Sequence, residues 1–171
     1  NKLVYVAIPK DNTYIPDFSV IHTAYSKVYE LAKAGKIQSA YAIGAGGVVA
    51  ALSQMAIGNE IGVKVTLPKE IAPFVAAYGD LVLEVVPEVA EDLNKDYFIT
   101  IGETVAEKII TIDEVSLSIS EVIQSMLAPT ANVFTQKVDS KQAVVDATFT
   151  GERKIYIANQ KIAQPEVLIP V

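Results

Sequence analysis

Apolar and polar positions follow one another along the chain with two different spacings. Short apolar runs predict strands, and apolar residues three or four positions apart predict helices. The predicted strands span residues 3–8, 37–43, 61–67, 80–86, 97–101, 107–112, 144–149, 155–158 and 167–171. The predicted helices span residues 18–34, 48–57, 68–77, 87–93 and 118–127.

The first helix carries signals at both of its ends. Asp17 suits the N-cap because its carboxylate can accept hydrogen bonds from the first free amides. Gly35 suits the C-terminal cap, where a left-handed backbone is common. The apolar stripe between them consists of Phe18, Ile21, Tyr25, Val28, Tyr29 and Ala32. Because Tyr25 and Tyr29 are four positions apart in this stripe, we expect both in the core.

The order of the elements indicates the fold class. Strands and helices alternate irregularly, and several strands follow one another closely, which favours an α+β fold with a mixed β-sheet and packed helices. We expect one domain over residues 1–138 and a linker or tail over residues 139–171. Because the chain starts at Asn1 and stops within an apolar run, we also expect it to be a piece of a longer polypeptide.

Composition narrows the class of protein. An apolar content of 51% in 171 residues is enough for a sizeable core, and the net charge of −6 argues against a nucleic-acid partner. The absence of cysteine excludes disulfides, thiolate metal sites and a cysteine nucleophile. No run approaches the roughly 18 apolar residues of a membrane span. We therefore expect a cytoplasmic protein with no membrane partner.

Four small residues separate the second strand from the second helix, and they are the most distinctive local feature. They are Gly44, Ala45, Gly46 and Gly47. Glycines let backbone amides approach an anion, and the start of the following helix adds its dipole. The alternative is that these glycines permit a tight turn and close packing, and bind nothing. No known phosphate motif decides between the two, since Val48 and Val49 occupy positions where such motifs need other residues.

Other ionisable and nucleophilic residues give weaker signals. His22 is the only histidine, so no pair of histidines can bind a metal. Glu103 and Glu107 could together bind Mg²⁺ or act as acid and base, although carboxylates in an acidic protein are more often solvated. Ser53 lies within a predicted helix and is poorly placed as a nucleophile. Three acidic residues are expected on a solvated helix face: Glu88, Glu91 and Asp92. We assign no catalytic residue and no metal ligand.

The stretch from residue 31 to residue 65 resembles a known family. Its features are Gly35-Lys36, Gly44-Ala45-Gly46-Gly47-Val48, Ser53-Gln54-Met55-Ala56 and Gly62-Val63-Lys64-Val65. In this order they are similar to the C-terminal domain of the aminoimidazole ribonucleotide synthetase superfamily, above all to the copies within phosphoribosylformylglycinamidine synthases. Further along, Gly79-Asp80 before an apolar run and Ile101-Gly102-Glu103 resemble later strands of that domain. The final run, 167–171, resembles the opening of the glutaminase domain that follows the second copy.

The resemblance implies a function. Enzymes of this family use ATP, Mg²⁺ and glutamine-derived ammonia to convert formylglycinamide ribonucleotide to its amidine in purine biosynthesis. The ATP and Mg²⁺ would be bound mainly by domains outside this chain. The glycine loop would help to hold the substrate phosphate, a role that maps onto Gly44, Ala45, Gly46 and Gly47. The implied partners are the other synthetase domains, the glutaminase domain and the small ribonucleotide.

One departure from the family pattern keeps other functions open. The family's Ser-Asp pair is replaced here by Gly44-Ala45, so that its hydroxyl and carboxylate are absent. The copy could therefore be a non-catalytic scaffold that docks the glutaminase. From the sequence alone, a small module that binds a phosphorylated metabolite is also open. We expect no turnover from this chain by itself.

Overall fold

The computed structural model describes residues 1–93, 95–134 and 151. The chain divides into two units, Asn1–Gln136 and Lys137–Val171, and the fold described below is that of the first. The strands predicted at 144–149, 155–158 and 167–171 lie outside the described residues. The predicted domain boundary after residue 138 also lies there and stays a prediction.

Seven strands and four α-helices make up the described part of the chain. The strands are β1 (Lys2–Val6), β2 (Ile37–Ala42), β3 (Gly62–Val65), β4 (Leu81–Val85), β5 (Phe98–Val105), β6 (Ile109–Ile112) and β7 (Val115–Ser118). The helices are α1 (Phe18–Lys33), α2 (Gly47–Asn59), α3 (Pro87–Asp92) and α4 (Ile119–Leu127), and a short 3₁₀ turn (Ala128–Thr130) follows α4.

All seven strands form one mixed sheet, in the order β2-β4-β1-β5-β3-β6-β7. Neighbouring strands are antiparallel except β3 and β6, which run parallel. Because β2 and β7 each pair on one side within the described part, they form its two edges. The predicted α+β fold with a mixed sheet and packed helices is confirmed.

Strand β1 separates two cores because successive side chains of a strand point to opposite faces of a sheet. Leu3 and Tyr5 belong to the core that contains residues of α2 and α4. Val4 and Val6 belong to the core that contains residues of α1 and, at its margin, of α3. The sheet is therefore covered by α2 and α4 on one face and by α1 and α3 on the other.

The predicted caps of α1 are confirmed, but its apolar stripe is partly wrong. The Asp17 carboxylate accepts hydrogen bonds from the amides of Ser19 and Val20, and Gly35 has a φ of +68°. The fully buried residues of the helix are Ala24 and Leu31. Tyr29, predicted in the core, is 67% exposed, and Phe18 is also exposed. The small side chain of Ala24 sets the line of closest approach to the sheet, which leaves Tyr29 on the solvent side.

The segment before β4 corrects another prediction. Residues 68–77 were expected to be helical, and they form turns and bends instead. Pro73 accounts for the difference because proline lacks an amide hydrogen and disfavours a helical residue before it. This irregular segment packs across the start of α2, as described below.

Two further strands differ from the prediction. The strand predicted over residues 97–101 is longer than expected, since β5 continues through Gly102 to Val105. A Cβ at Gly102 would lie 2.1 Å from the carbonyl oxygen of Lys64, so glycine permits the close approach of β3. Strand β7 was missed because its four residues, Val-Ser-Leu-Ser, carry too short a pattern.

Candidate functional site

The four small residues form one turn between β2 and α2, as the sequence predicted. The amide of Gly47 donates to the carbonyl of Gly44 at 3.1 Å, which closes the turn. Gly46 has a φ of +87° and Gly47 a φ of +66°, a region that side chains disfavour. Two of the three glycines are therefore required by the backbone path alone.

Gly47 is also required by packing. A Cβ at this position would lie 2.4 Å from the carbonyl oxygen of Pro73 and 2.8 Å from the Cα of Phe74. The same proline carbonyl accepts a 3.1 Å hydrogen bond from the amide of Val49 in the first turn of α2. Pro73 and Phe74 thus cover one side of the helix start, and the Pro73 carbonyl uses one amide, that of Val49, that an anion would otherwise meet.

The other side of the turn is open. Ala45 and Gly46 are exposed, and none of the hydrogen bonds among the described residues uses their amides. Gly44 is half-buried, and its nearest side-chain neighbour is the ring of Tyr78, 3.9 Å from where a Cβ would lie. The turn therefore offers two free amides next to the positive end of the α2 dipole.

A buried polar cluster lies close to this turn and was not singled out from the sequence. Its centre is Asp80, which is 5% exposed. One carboxylate oxygen accepts a 2.5 Å hydrogen bond from the Tyr5 hydroxyl. The other accepts from the Ile8 amide at 3.0 Å and pairs with the Lys10 ammonium at 2.5 Å. Since these residues lie some 70 positions apart in the chain, no local spacing could reveal the cluster.

The Asp80 cluster is linked to the turn through the backbone. The carbonyl of Asp80 accepts a 3.0 Å hydrogen bond from the amide of Ile43, the residue before Gly44. The Tyr25 hydroxyl donates to the neighbouring Gly79 carbonyl at 3.0 Å. The buried cluster therefore fixes the point at which the chain leaves β2 and enters the turn.

The cluster changes the acidity of two tyrosines. Burial raises the pKa of Tyr5 well above its usual range, and the hydrogen bond to Asp80 and the negative charge of Asp80 raise it further. Burial and, to a lesser extent, the Asp80 charge also raise the pKa of Tyr25. Both phenols are therefore neutral hydrogen-bond donors at physiological pH.

The remaining sequence candidates are scattered. His22 is exposed on α1, and Ser53 is half-buried within α2. Glu103 lies in β5 and forms a 2.7 Å ion pair with Lys2, which lowers the pKa of Glu103 through that hydrogen bond and the Lys2 charge. Glu107 is exposed beyond the end of β5. The expected solvated face of α3 is confirmed for its three acidic residues, Glu88, Glu91 and Asp92.

Across residues 1–93 and 95–134, no three acidic, histidine or cysteine side chains lie close enough to share a metal ion. Within the same ranges, no helix combines the length and apolar character needed to cross a membrane.

The architecture matches a part of larger solved structures. No family model and no curated protein matches the sequence. The structural matches cover about 69% of this chain but only about a quarter of the matched chains. The chain therefore corresponds in fold to a part of these structures.

Several of the matched structures are of phosphoribosylformylglycinamidine synthase II or PurL from Thermotoga maritima. One is phosphoribosylformylglycinamidine synthase II of Thermotoga maritima, with a TM-score of 0.56, 14% identity, and coverage of 69% of this chain and 25% of that chain. T. maritima PurL complexed with AMPPCP has a TM-score of 0.55 and 15% identity, and the match covers 69% of this chain and 24% of that chain. T. maritima PurL complexed with FGAR has a TM-score of 0.55 and 12% identity, and the match covers 70% of this chain and 27% of that chain. The fold expected from the family resemblance is thereby confirmed.

Proposed function

We propose that this chain is a domain of a phosphoribosylformylglycinamidine synthase, an ATP- and glutamine-dependent ligase of purine biosynthesis. In that enzyme it contributes to, or braces, the site of the ribonucleotide substrate. The observation that carries the proposal is the shared fold with the Thermotoga maritima synthase, which extends over some two thirds of this chain. Other synthetase domains and a glutaminase domain are the proposed partners, and they would bind most of the ATP and Mg²⁺.

Within this proposal, the glycine turn holds the substrate phosphate. The free amides of Ala45 and Gly46 supply the hydrogen bonds, and the dipole of α2 supplies a favourable potential. Gly44 and Gly47 shape the turn, and the Gly47 amide serves to close it. No side chain in the turn carries charge, so the binding energy from this chain comes from the backbone.

A second function, bracing without ligand contact, is supported by the packing of Gly47. Gly47 lies against Pro73 and Phe74, and the Val49 amide donates a hydrogen bond to the Pro73 carbonyl. These contacts join the start of α2 to the segment before β4. On this alternative, the turn is a packing device, and the domain serves as a scaffold for its neighbours.

A matched pair of variants separates phosphate binding from bracing. Ala45 is exposed and its φ is not positive, so both Ala45→Glu and Ala45→Gln fit the turn. We expect formylglycinamide ribonucleotide, titrated calorimetrically into the full chain, to bind the original and the Gln variant alike. The Glu variant should bind at least tenfold more weakly, because its carboxylate repels the phosphate.

Each other result of that titration has a defined meaning. Equal binding by the Glu and Gln variants, or no binding by the original chain, would contradict the phosphate site and favour bracing. If inorganic phosphate or ADP bound as tightly as the ribonucleotide, the chain would act as a general module for phosphorylated metabolites.

A further inference from the structure

Strand β7 is an edge of the sheet within the described residues. It pairs with β6, and no other described strand lies beyond it. Val115 is 63% exposed and Leu117 is 48% exposed. Natural proteins protect such edges by keeping the strand short or with lysine, proline or a bulge. Strand β7 has only four residues, and Val-Ser-Leu-Ser contains none of the other three devices.

A groove runs beside this edge, and we name it the β7 groove. It consists of two contiguous depressions of about 260 and 630 Å³ between β7, α4 and the first half of α2. Both depressions are lined by Val49, Ser53, Leu117 and Val122. Phe74 lies at one end and is 71% exposed, and Met126 lies at the other and is 44% exposed.

The composition of helix α2 indicates that a binding partner covers the groove. Ten of its thirteen residues are apolar or glycine on every side of the helix, a composition typical of a helix covered all round. Its buried residues, such as Ala51 and Leu52, face the sheet. Val49 and Ser53 are half-buried and line the groove, so that one side of an apolar helix is left partly open.

The charges around the groove indicate what the occupant carries. The ionisable residues in its lining are Asp113 and Glu121, and both are acidic. Asp113 accepts a hydrogen bond from the Leu67 amide, and Glu121 accepts from the amide and hydroxyl of Ser118. Among the described ion pairs, none involves either carboxylate. A basic group on the occupant would therefore be complementary.

The same charges disfavour a second copy of this chain. Two β7 strands paired antiparallel would place the start of one strand opposite the end of the other. Asp113 and Glu114 precede β7, and Glu121 lies just after it in α4. Like charges would meet at both ends of such a pair, which makes it unfavourable.

We propose that the β7 groove binds an extended strand of a partner protein, with alternating apolar residues and at least one lysine or arginine. The strand adds to the free edge of β7 through backbone hydrogen bonds, and its apolar side chains cover Leu117 and Val49. Its basic side chain lies next to Asp113 or Glu121. This proposal rests on the edge and its charges and is independent of the proposed enzymatic function.

Short labelled peptides test the proposal on the full chain by fluorescence anisotropy. The probe is acetyl-Lys-Thr-Val-Thr-Val-Thr-Lys-amide, in which both valines and both lysines lie on one face of an extended strand, and its matched control replaces both lysines with glutamate. We expect the lysine peptide to bind at least tenfold more tightly than the glutamate peptide, and the difference to shrink in high salt. Leu117→Lys should abolish binding, whereas Ile15→Lys, at another exposed apolar residue, should leave it unchanged.

A milder variant keeps the test independent of folding. Asp113→Asn retains an oxygen that can accept from the Leu67 amide, and asparagine tolerates the φ of +55° found there. We expect it to weaken the lysine peptide about threefold and to leave the glutamate peptide unchanged or improved. No saturable binding up to millimolar protein, or equal binding of both peptides, would overturn the proposal. A dimer in sedimentation that Leu117→Lys dissociates would overturn it in favour of a second copy.

Discussion

The hydroxyl of Tyr5 donates a 2.5 Å hydrogen bond to the buried carboxylate of Asp80, 75 positions further along the chain. This bond joins the central strand β1 to the residue that precedes β4. Through the backbone bond from Ile43 to Asp80, it also anchors the glycine turn. The stability of the fold and the position of the candidate site therefore depend on the same buried cluster.

Tyr5→Phe should destabilise the protein. The ring keeps its packing, but one oxygen of Asp80 loses its partner inside the core. Leaving a buried acceptor unsatisfied costs about 1–3 kcal/mol in the free energy of unfolding. Urea denaturation followed by circular dichroism measures the change. Tyr29→Phe is the control because Tyr29 is 67% exposed, and it should have almost no effect. Equal midpoints for the two variants would show that the Tyr5–Asp80 bond contributes nothing.

The same tyrosine should make the protein less stable at high pH. The pKa of Tyr5 is raised in the folded state, mainly by burial, from an ordinary value of 10.0. Above about pH 10 the unfolded chain therefore loses this proton while the folded chain keeps it, so that the free energy of unfolding falls as the pH rises. The slope contributed by one such group is at most about 1.4 kcal/mol per pH unit.

Comparison with Tyr5→Phe isolates this contribution. Below about pH 9, the difference in stability between the original protein and the variant should be constant. Between pH 10 and 11 it should narrow, since the variant has no phenol to titrate. Urea midpoints across pH 8–11 check this. A constant difference over the whole range would mean that the Tyr5 pKa is the same in both states.

Gly47→Ala should be far more harmful than Gly44→Ala. At Gly47, a methyl group meets the Pro73 carbonyl at 2.4 Å, and the φ of +66° disfavours any side chain. A left-handed non-glycine residue alone costs about 1–3 kcal/mol, and the clash adds to this. At Gly44, the nearest atom lies at 3.9 Å, and the φ is not positive. Thermal unfolding of both variants provides the measurement, and similar melting temperatures would contradict the packing of Pro73 over the turn.

Gly62→Ala and Gly58→Ala should change stability in opposite directions. A Cβ on Gly62 would lie 1.8 Å from the carbonyl oxygen of Glu107, so the substitution forces β3 away from the segment before β6. Gly58 lies in α2 with nothing within 4 Å of a Cβ, and alanine there should stabilise by about 0.5–1 kcal/mol. Chemical denaturation measures the change in the free energy of unfolding for both variants. A stable Gly62→Ala variant would contradict the parallel register of β3 and β6.

Local signals in the sequence were sufficient for much of the fold. Short apolar runs located β1 and β4, and apolar residues three or four positions apart located α2. Asp17 and Gly35 marked the ends of α1, since capping depends on neighbouring residues alone. The helix predicted over residues 68–77 was wrong although Pro73 is itself a local signal against a helix. At Gly102 local signals were not sufficient, because the close approach of β3 requires the glycine.

The sequence by itself determined the mixed α+β class, the strand–turn–helix around residues 44–47 and the family whose fold this chain shares, because each depends on the order of nearby residues. The tertiary structure alone decided that Pro73, 24 positions after Val49, accepts the Val49 amide and covers Gly47. It also decided that Tyr5, Lys10 and Asp80 share one buried site and that β7 is an edge of the sheet within the described residues. Such contacts join residues distant in sequence, and their spacing along the chain therefore leaves no periodic trace.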